Sequence, residues 1–333
     1  MTAQPHDSIF KAVFSRTENA AGLLRGILST NLASHPSLAE LAGALDWSTL
    51  TLQPGSFIDE QLKPSHTDLL FSIQIAGKPV LVYVLVEHQS RNERRMPLRF
   101  HKYMGRIWTQ LDDESYTVLP PILCIVLSHA RPQWTGMLTF GALFDPEVIS
   151  NPAISQFVPD FTIVVEDLEH RSDEDLAALR LATLPTLTLW MLRDGHAEEL
   201  LWEGLEVWAP QVIEMLRDPD GMLFLSYFTS RFKDFSFRRL GDKLTEVTPD
   251  AKDALMEFIE QWRTEGREQG LERGLARGLA RGQITLLTKL LSLKFGELSA
   301  QARAHLENAN PTEIDKWAER VLRATTLDEV FAD

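Results

Sequence analysis

The stretch DLLFSIQIAGKPVLVYVLVEHQ, residues 68–89, governs the reading of the whole chain. Its two halves are rich in strand formers and meet at Ala76-Gly77-Lys78, a short turn, so they read as a β-hairpin. The second half, PVLVYVLV, is apolar on both faces, as a central strand must be. It closes on Glu87 and Gln89, which share one face while His88 points the other way. Burying an unpaired carboxylate is costly, so Glu87 at the end of such a run calls for a compensating partner. Asp68 can supply one. It lies about nine residues before the turn and Glu87 about nine after it, so pairing can make the two carboxylates cross-strand neighbours. Two acids this close repel unless they share a proton or hold a cation. Oxygen ligands that leave positions open for water suit Mg2+ or Mn2+. The alternative is that both acids are solvated strand ends.

Working outward, RNERRMPLRFHKYMGR follows Gln89 directly. It carries Arg91, Arg94, Arg95, Arg99, Lys102 and Arg106 against a single acid, Glu93. In a chain of net charge −14, which is no whole-surface polyanion binder, this is the local patch that a DNA backbone would require; a solvated helix face reads equally from the same residues. Pro97 opens a helix over 97–111 whose apolar side is Leu98, Tyr103, Ile107, Trp108 and Leu111. PILCIVLSH (121–129) is another buried strand, and FTIVV (161–165) reads as a further one. Upstream, Asp7–Leu28 is helical, with Asp7 either its N-cap or a further acid near the cation. Residues 48–60 form a strand entering the sheet, with a turn at Pro54-Gly55. The order is helix, three strands, helix, strand: an α/β sheet flanked by helices. Ser172–Asp175 forms a capping box in the mainly helical stretch that follows.

Several classes are excluded. No apolar run approaches the length of a membrane span, and the first six residues are no signal peptide, so no membrane partner is expected. The lone Cys124 forbids an internal disulfide and fits a reducing, cytoplasmic location. Scattered histidines without CxxC or HxxxH leave no zinc signature, and no G-x-S-x-G elbow, P-loop or dinucleotide fingerprint is present.

The opening His6-Asp7-x-x-Phe10-Lys11, the stretch GSFIDEQLKPSHTDLLFSI, VYVLVEHQS and the Arg99…Tyr103 helix together resemble the Rpn family of recombination-promoting nucleases, also called YhgA-like putative transposases. The resemblance covers roughly residues 5–205. It implies a PD-(D/E)xK-like core, metal-dependent DNA endonuclease activity, Asp68 and Glu87 as metal-binding acids, and a catalytic site of Asp68, Glu87 and Gln89. Gln89 stands where most of that superfamily has lysine. An amide orients by hydrogen bonds and carries no charge, so Arg99 or Lys102 would supply the positive charge. A catalytically weak DNA-binding or regulatory module that keeps the fold is the alternative.

Three segments result: a nuclease-like domain at 1–205, a helical connector at 206–262 and a small all-α domain at 263–333. The last opens with Gly266, Gly270, Gly274, Gly278 and Gly282, a period of four shared by Leu271, Leu275 and Leu279 and by Arg273, Arg277 and Arg281. Five helical glycines cost about 4–5 kcal/mol relative to alanine, so either this is a linker or the bare stripe packs closely. The regular period favours a helix, and a homodimer through 266–282 is the economical use of it. Gly296 ends that helix, Ser299 and Asn310-Pro311 start the next two, and Thr326–Glu329 is a capping box.

Overall fold

Two consecutive positive φ angles, 49° at Ala76 and 73° at Gly77, build the turn on which the sheet is organised. They make a two-residue hairpin connection whose twist matches that of the flanking strands. Lys78 therefore belongs to the second strand, paired with Ile75, and the turn is one residue shorter than the sequence suggested. The computed structural model describes residues 5–30, 36–54, 69–87, 95–113, 118–129, 133–232, 235–249, 251–307, 309–321 and 323–331.

The chain divides into two units, Met1–Met256 and Glu257–Asp333. The first opens with α1 (Pro5–Phe14), α2 (Thr17–Thr30) and α3 (Leu38–Ala44). Asp7 thus sits inside the first turn of α1 and is not its N-cap. The single helix expected over Asp7–Leu28 is broken at Ser15-Arg16, where the Asn19 side-chain amide donates to the Val13 carbonyl at 3.0 Å. Then come β1 (Leu45–Leu52), β2 (Leu69–Ile75), β3 (Lys78–Glu87), α4 (Met96–Asp113), β4 (Ile122–Ser128), the short α5 (Pro146–Ile149) and α6 (Pro152–Ser155), and β5 (Ile163–Asp167). The five strands lie in the order β1-β2-β3-β4-β5; β1, β2 and β3 run antiparallel, while β3, β4 and β5 are parallel. The mixed α/β class and the order of three strands, helix and strand match the expectation. The expected strand at 161–165 falls at 163–167 and makes a fifth. The strand expected at 48–60 is β1, which begins at Leu45; positions 55–60 lie outside the described residues.

Strand alternation sorts the core. Leu70 of β2, Leu81, Tyr83 and Leu85 of β3, Cys124 and Val126 of β4 and Ile163 of β5 pack against Met96, Phe100, Tyr103, Met104, Ile107 and Leu111 of α4. This is a dry interior. Cys124 has its thiol 3.6 Å from the Met104 sulfur, and burial pushes its pKa up, so it is no nucleophile. The even-numbered residues of β3 and β5 and the odd-numbered residues of β4 face the opposite side, where Val84, Ile125, Leu127, Val164 and Glu166 are buried.

The rest of the first unit is helical: α7 (Asp173–Ala178), α8 (Thr183–Asp194), α9 (Glu198–Leu216), α10 (Gly221–Arg231) and α11 (Phe237–Val247). The capping box at Ser172 and Asp175 is present in both directions, each at 3.1 Å. Helix α9 spans position 205 and packs with α8, α10 and α11, while α1 packs with α8 and α10; all belong to the first unit.

The boundary between units falls within α12 (Ala251–Phe295), which runs as one helix through the glycine repeat. Gly296 follows at φ 86°, as expected of the residue ending a helix. In the second unit, α13 (Ala300–Glu307), α14 (Pro311–Arg320) and α15 (Leu327–Phe331) close over Leu287 and Leu291 with Leu298, Leu306, Ile314, Trp317 and Val330. The Ser299 hydroxyl accepts from Ala302 N at 3.2 Å, Asn310 and Glu313 form a capping box, and Thr326 and Glu329 exchange bonds at 3.3 and 3.4 Å.

Candidate functional site

The parallel ladder brings three polar positions into one row at the carboxyl ends of the strands. Glu87 of β3 pairs with Ser128 of β4, and Ser128 pairs with Asp167 of β5. Partners in a ladder share a face, and Ser128 and Asp167 follow Val126 and Val165, so these two side chains lie on the α4 side of the sheet. Carboxyl ends of parallel strands are where open α/β sheets place their ligands. Each strand is an apolar run that ends on an oxygen-bearing side chain, a repeated pattern that was visible in VLVE and VVED.

Asp68, His88, Gln89, Arg91 and Arg94 lie outside the described residues. The described part of the hairpin pairs Leu69 with Val84, Leu70 with Tyr83 and so on to Ile75 with Lys78. Among the described residues no three His, Cys, Asp or Glu side chains are grouped so as to hold a metal ion.

Ser128 is fully buried. The Asp167 carboxylate accepts from Trp134 N at 3.0 Å through Oδ2, and its Oδ1 lies 3.1 Å from His170 Nδ1. The neighbouring Glu166 points to the opposite face and is 1% exposed. Arg171 holds it with two bonds of 2.6 and 2.8 Å and also donates to the Thr30 hydroxyl at the end of α2 at 2.9 Å. One acid of the pair is therefore tied into the fold, while the other stands in the row.

Four of the six basic residues are described. At ~100° per residue, Arg95, Arg99, Lys102 and Arg106 fall in a stripe about 60° wide along α4. Arg95 and Lys102 are exposed, Arg99 and Arg106 half-buried. On the other flank of the helix, His101 packs on Phe140 at 4.7 Å and on Phe161 at 6.5 Å, beside β5. The basic stripe is thus turned away from β5, toward the side of the hairpin. Arg99 lies 5.7 Å from the Tyr103 ring centroid, with its Nε 3.4 Å from the Tyr103 hydroxyl, which stiffens its stem.

The amino end of α1 reaches the same end of the sheet. His6 stacks on His129, the residue after β4, with ring centroids 5.4 Å apart. Asp7 is next to it in the first turn of α1. The tertiary fold thus sets the N-terminal His6-Asp7 pair close to the row's middle strand, over 120 residues away in sequence.

Over 172 residues, 50% of this chain and 54% of that protein, the chain is 32% identical to recombination-promoting nuclease RpnC of Escherichia coli K12. RpnA of the same organism is 25% identical over 80% of this chain and 85% of its own length. The inactive recombination-promoting nuclease-like protein RpnE is also 25% identical, over 80% of this chain and 83% of its own. No solved structure matches the chain significantly. The family model described as "Putative transposase, YhgA-like" matches residues 4–207, which hold the whole five-stranded sheet, the basic helix and the His6-Asp7 opening, and the chain belongs to that family.

Proposed function

We propose that this protein is a metal-dependent DNA endonuclease, hydrolysing phosphodiester bonds at the carboxyl ends of β3, β4 and β5. The observation that carries the reading is the backbone register that lines up Glu87, Ser128 and Asp167 at the carboxyl ends of three parallel strands, with a basic stripe on the helix that packs on the sheet. Asp68 immediately precedes β2 in sequence, and Glu87 ends the neighbouring strand β3. Asp68 and Glu87 would then hold the cation, and their hard oxygen donors suit Mg2+ or Mn2+. Such a cation lowers the pKa of a water it binds and polarises a phosphoryl oxygen. Gln89 would orient that water by hydrogen bonds. Arg95, Arg99, Lys102 and Arg106, with Arg91 and Arg94, would grip the phosphate backbone, and Asp7 is a further acid at the same end. The small all-α segment would join two copies through residues 266–282, presenting two sites to a duplex.

Plasmid nicking in Mg2+ or Mn2+ is the direct test. Wild type should nick, and Asp68→Ala or Glu87→Gln should reduce the rate by at least about 100-fold, the scale of a lost charge-stabilising group. Equal rates would end the reading.

A second reading is favoured by a specific observation: one similar protein is named as inactive, and Gln89 here replaces the charge a lysine would bring. Under that reading the protein binds DNA in a salt-sensitive way and leaves it uncut at every metal concentration.

A further inference from the structure

Tyr227 belongs to α10, beyond the stretch that the family model matches, yet its hydroxyl meets the N-terminal motif across 221 residues of chain. The ring is 2% exposed and stands edge-on to His6, centroids 5.4 Å apart. Its oxygen lies 3.0 Å from the Met191 carbonyl oxygen and 3.4 Å from His6 Nδ1. A carbonyl only accepts, so the single phenolic proton is directed to Met191. That leaves the Tyr227 oxygen as an acceptor toward His6, and Nδ1 must carry a hydrogen to meet it. The neutral His6 ring then has its lone pair on Nε2.

The surroundings are shaped for this contact. Gly195 ends α8, and a Cβ there would lie 1.9 Å from the Tyr227 hydroxyl and 2.3 Å from the Met191 oxygen. Glycine is therefore required for the hydroxyl to come so close. Gly195 N also donates to the Met191 oxygen at 2.9 Å, so that carbonyl accepts two hydrogens. Burial raises the phenol pKa far above its ordinary value, and the hydroxyl keeps its proton at any working pH.

We propose that Tyr227 is a positioning residue for the candidate site: it holds His6 as the Nδ1-protonated tautomer and seats that ring on His129, one residue past the row of Glu87, Ser128 and Asp167. The helices beyond the matched stretch thereby take part in building the site. The positioning role rests on the nuclease reading; the tautomer does not.

Long-range 15N–1H spectra of the histidine side chains in the full chain test the tautomer, with His6→Gln identifying the signal. Wild-type His6 should show the Nδ1–H pattern. In Tyr227→Phe, which removes only the oxygen, the proton should move to Nε2, and Mg2+-dependent nicking should fall roughly 10-fold, as for a lost supporting partner of a site residue. Gly195→Ala, which displaces the hydroxyl while keeping the tyrosine, should change the spectrum in the same direction. A wild-type His6 protonated on Nε2, or a Tyr227→Phe spectrum identical to wild type, overturns the proposal. So does a changed tautomer with unchanged nicking, which confines Tyr227 to packing. If wild type and Asp68→Ala alike fail to nick, the nuclease reading fails first and the positioning role goes with it.

Discussion

Glu166 and Asp167 are adjacent in sequence and point to opposite faces, and their environments divide their roles. Glu166 is buried against Arg171, with Thr30 sharing the guanidinium. Removing the arginine takes away the guanidinium that pairs with this buried carboxylate, so Arg171→Ala should destabilise the first unit by about 3–5 kcal/mol, read from the denaturant midpoint. A second ion pair gives a pH signature. Asp220 at the start of α10 pairs with Arg16 at the break between α1 and α2, and the hydrogen bond with that guanidinium holds the Asp220 carboxyl below the usual carboxylate range. A depressed folded-state pKa contributes stability above the unfolded value, ~3.9, and that stability is lost as pH falls through the folded pKa. Asp220→Asn should therefore lower Tm at pH 7, and the difference from wild type should close as pH drops below about 4. A gap that persists at low pH would assign the effect to packing.

At the scale of elements, α4 joins core and surface on one cylinder. Its apolar stripe closes the face of β2, β3, β4 and β5, and its arginine and lysine stripe is carried on a neighbouring flank. Positions spaced four and three apart are enough to build that stripe, so this feature was legible in RRMPLRFHKYMGR. If it grips phosphates, Lys102→Gln and Arg106→Gln should each weaken DNA binding about equally for all sequences and reduce the slope of log K against log salt by about 1. Binding loss confined to particular sequences would argue for base reading instead. The hairpin was equally legible, but its turn was not. Ala76 gives no glycine-like warning of a positive φ, so the strand pairing was counted around three residues where the chain uses two.

For the whole molecule, two units with separate apolar cores are joined through α12. The glycine period predicted a helix, and the helix is there; the dimer remains the proposed use of it. A chain ending at residue 262 should scatter light as a monomer and the full chain as a dimer, while far-UV circular dichroism keeps the truncated form folded. Equal masses would remove the dimer from the reading. The expected connector at 206–262 holds α10 and α11, whose partners are α1 and α9 of the first unit. Sequence composition could not reveal this for α10, because the residues that tie it to the start of the chain lie some two hundred positions apart.

Local chemistry is written in neighbouring residues, and the chain by itself therefore determined its strands, its basic stripe, its helix caps and the family resemblance. Alternation, turn propensity and capping act within about ten residues, where chain connectivity already brings the partners together. Only the tertiary structure decided which strand ends line up in one row, that Glu166 and not Asp167 is tied down by Arg171, and that Tyr227 reaches His6. Those pairings depend on how all the apolar faces are buried at once, which no local pattern specifies.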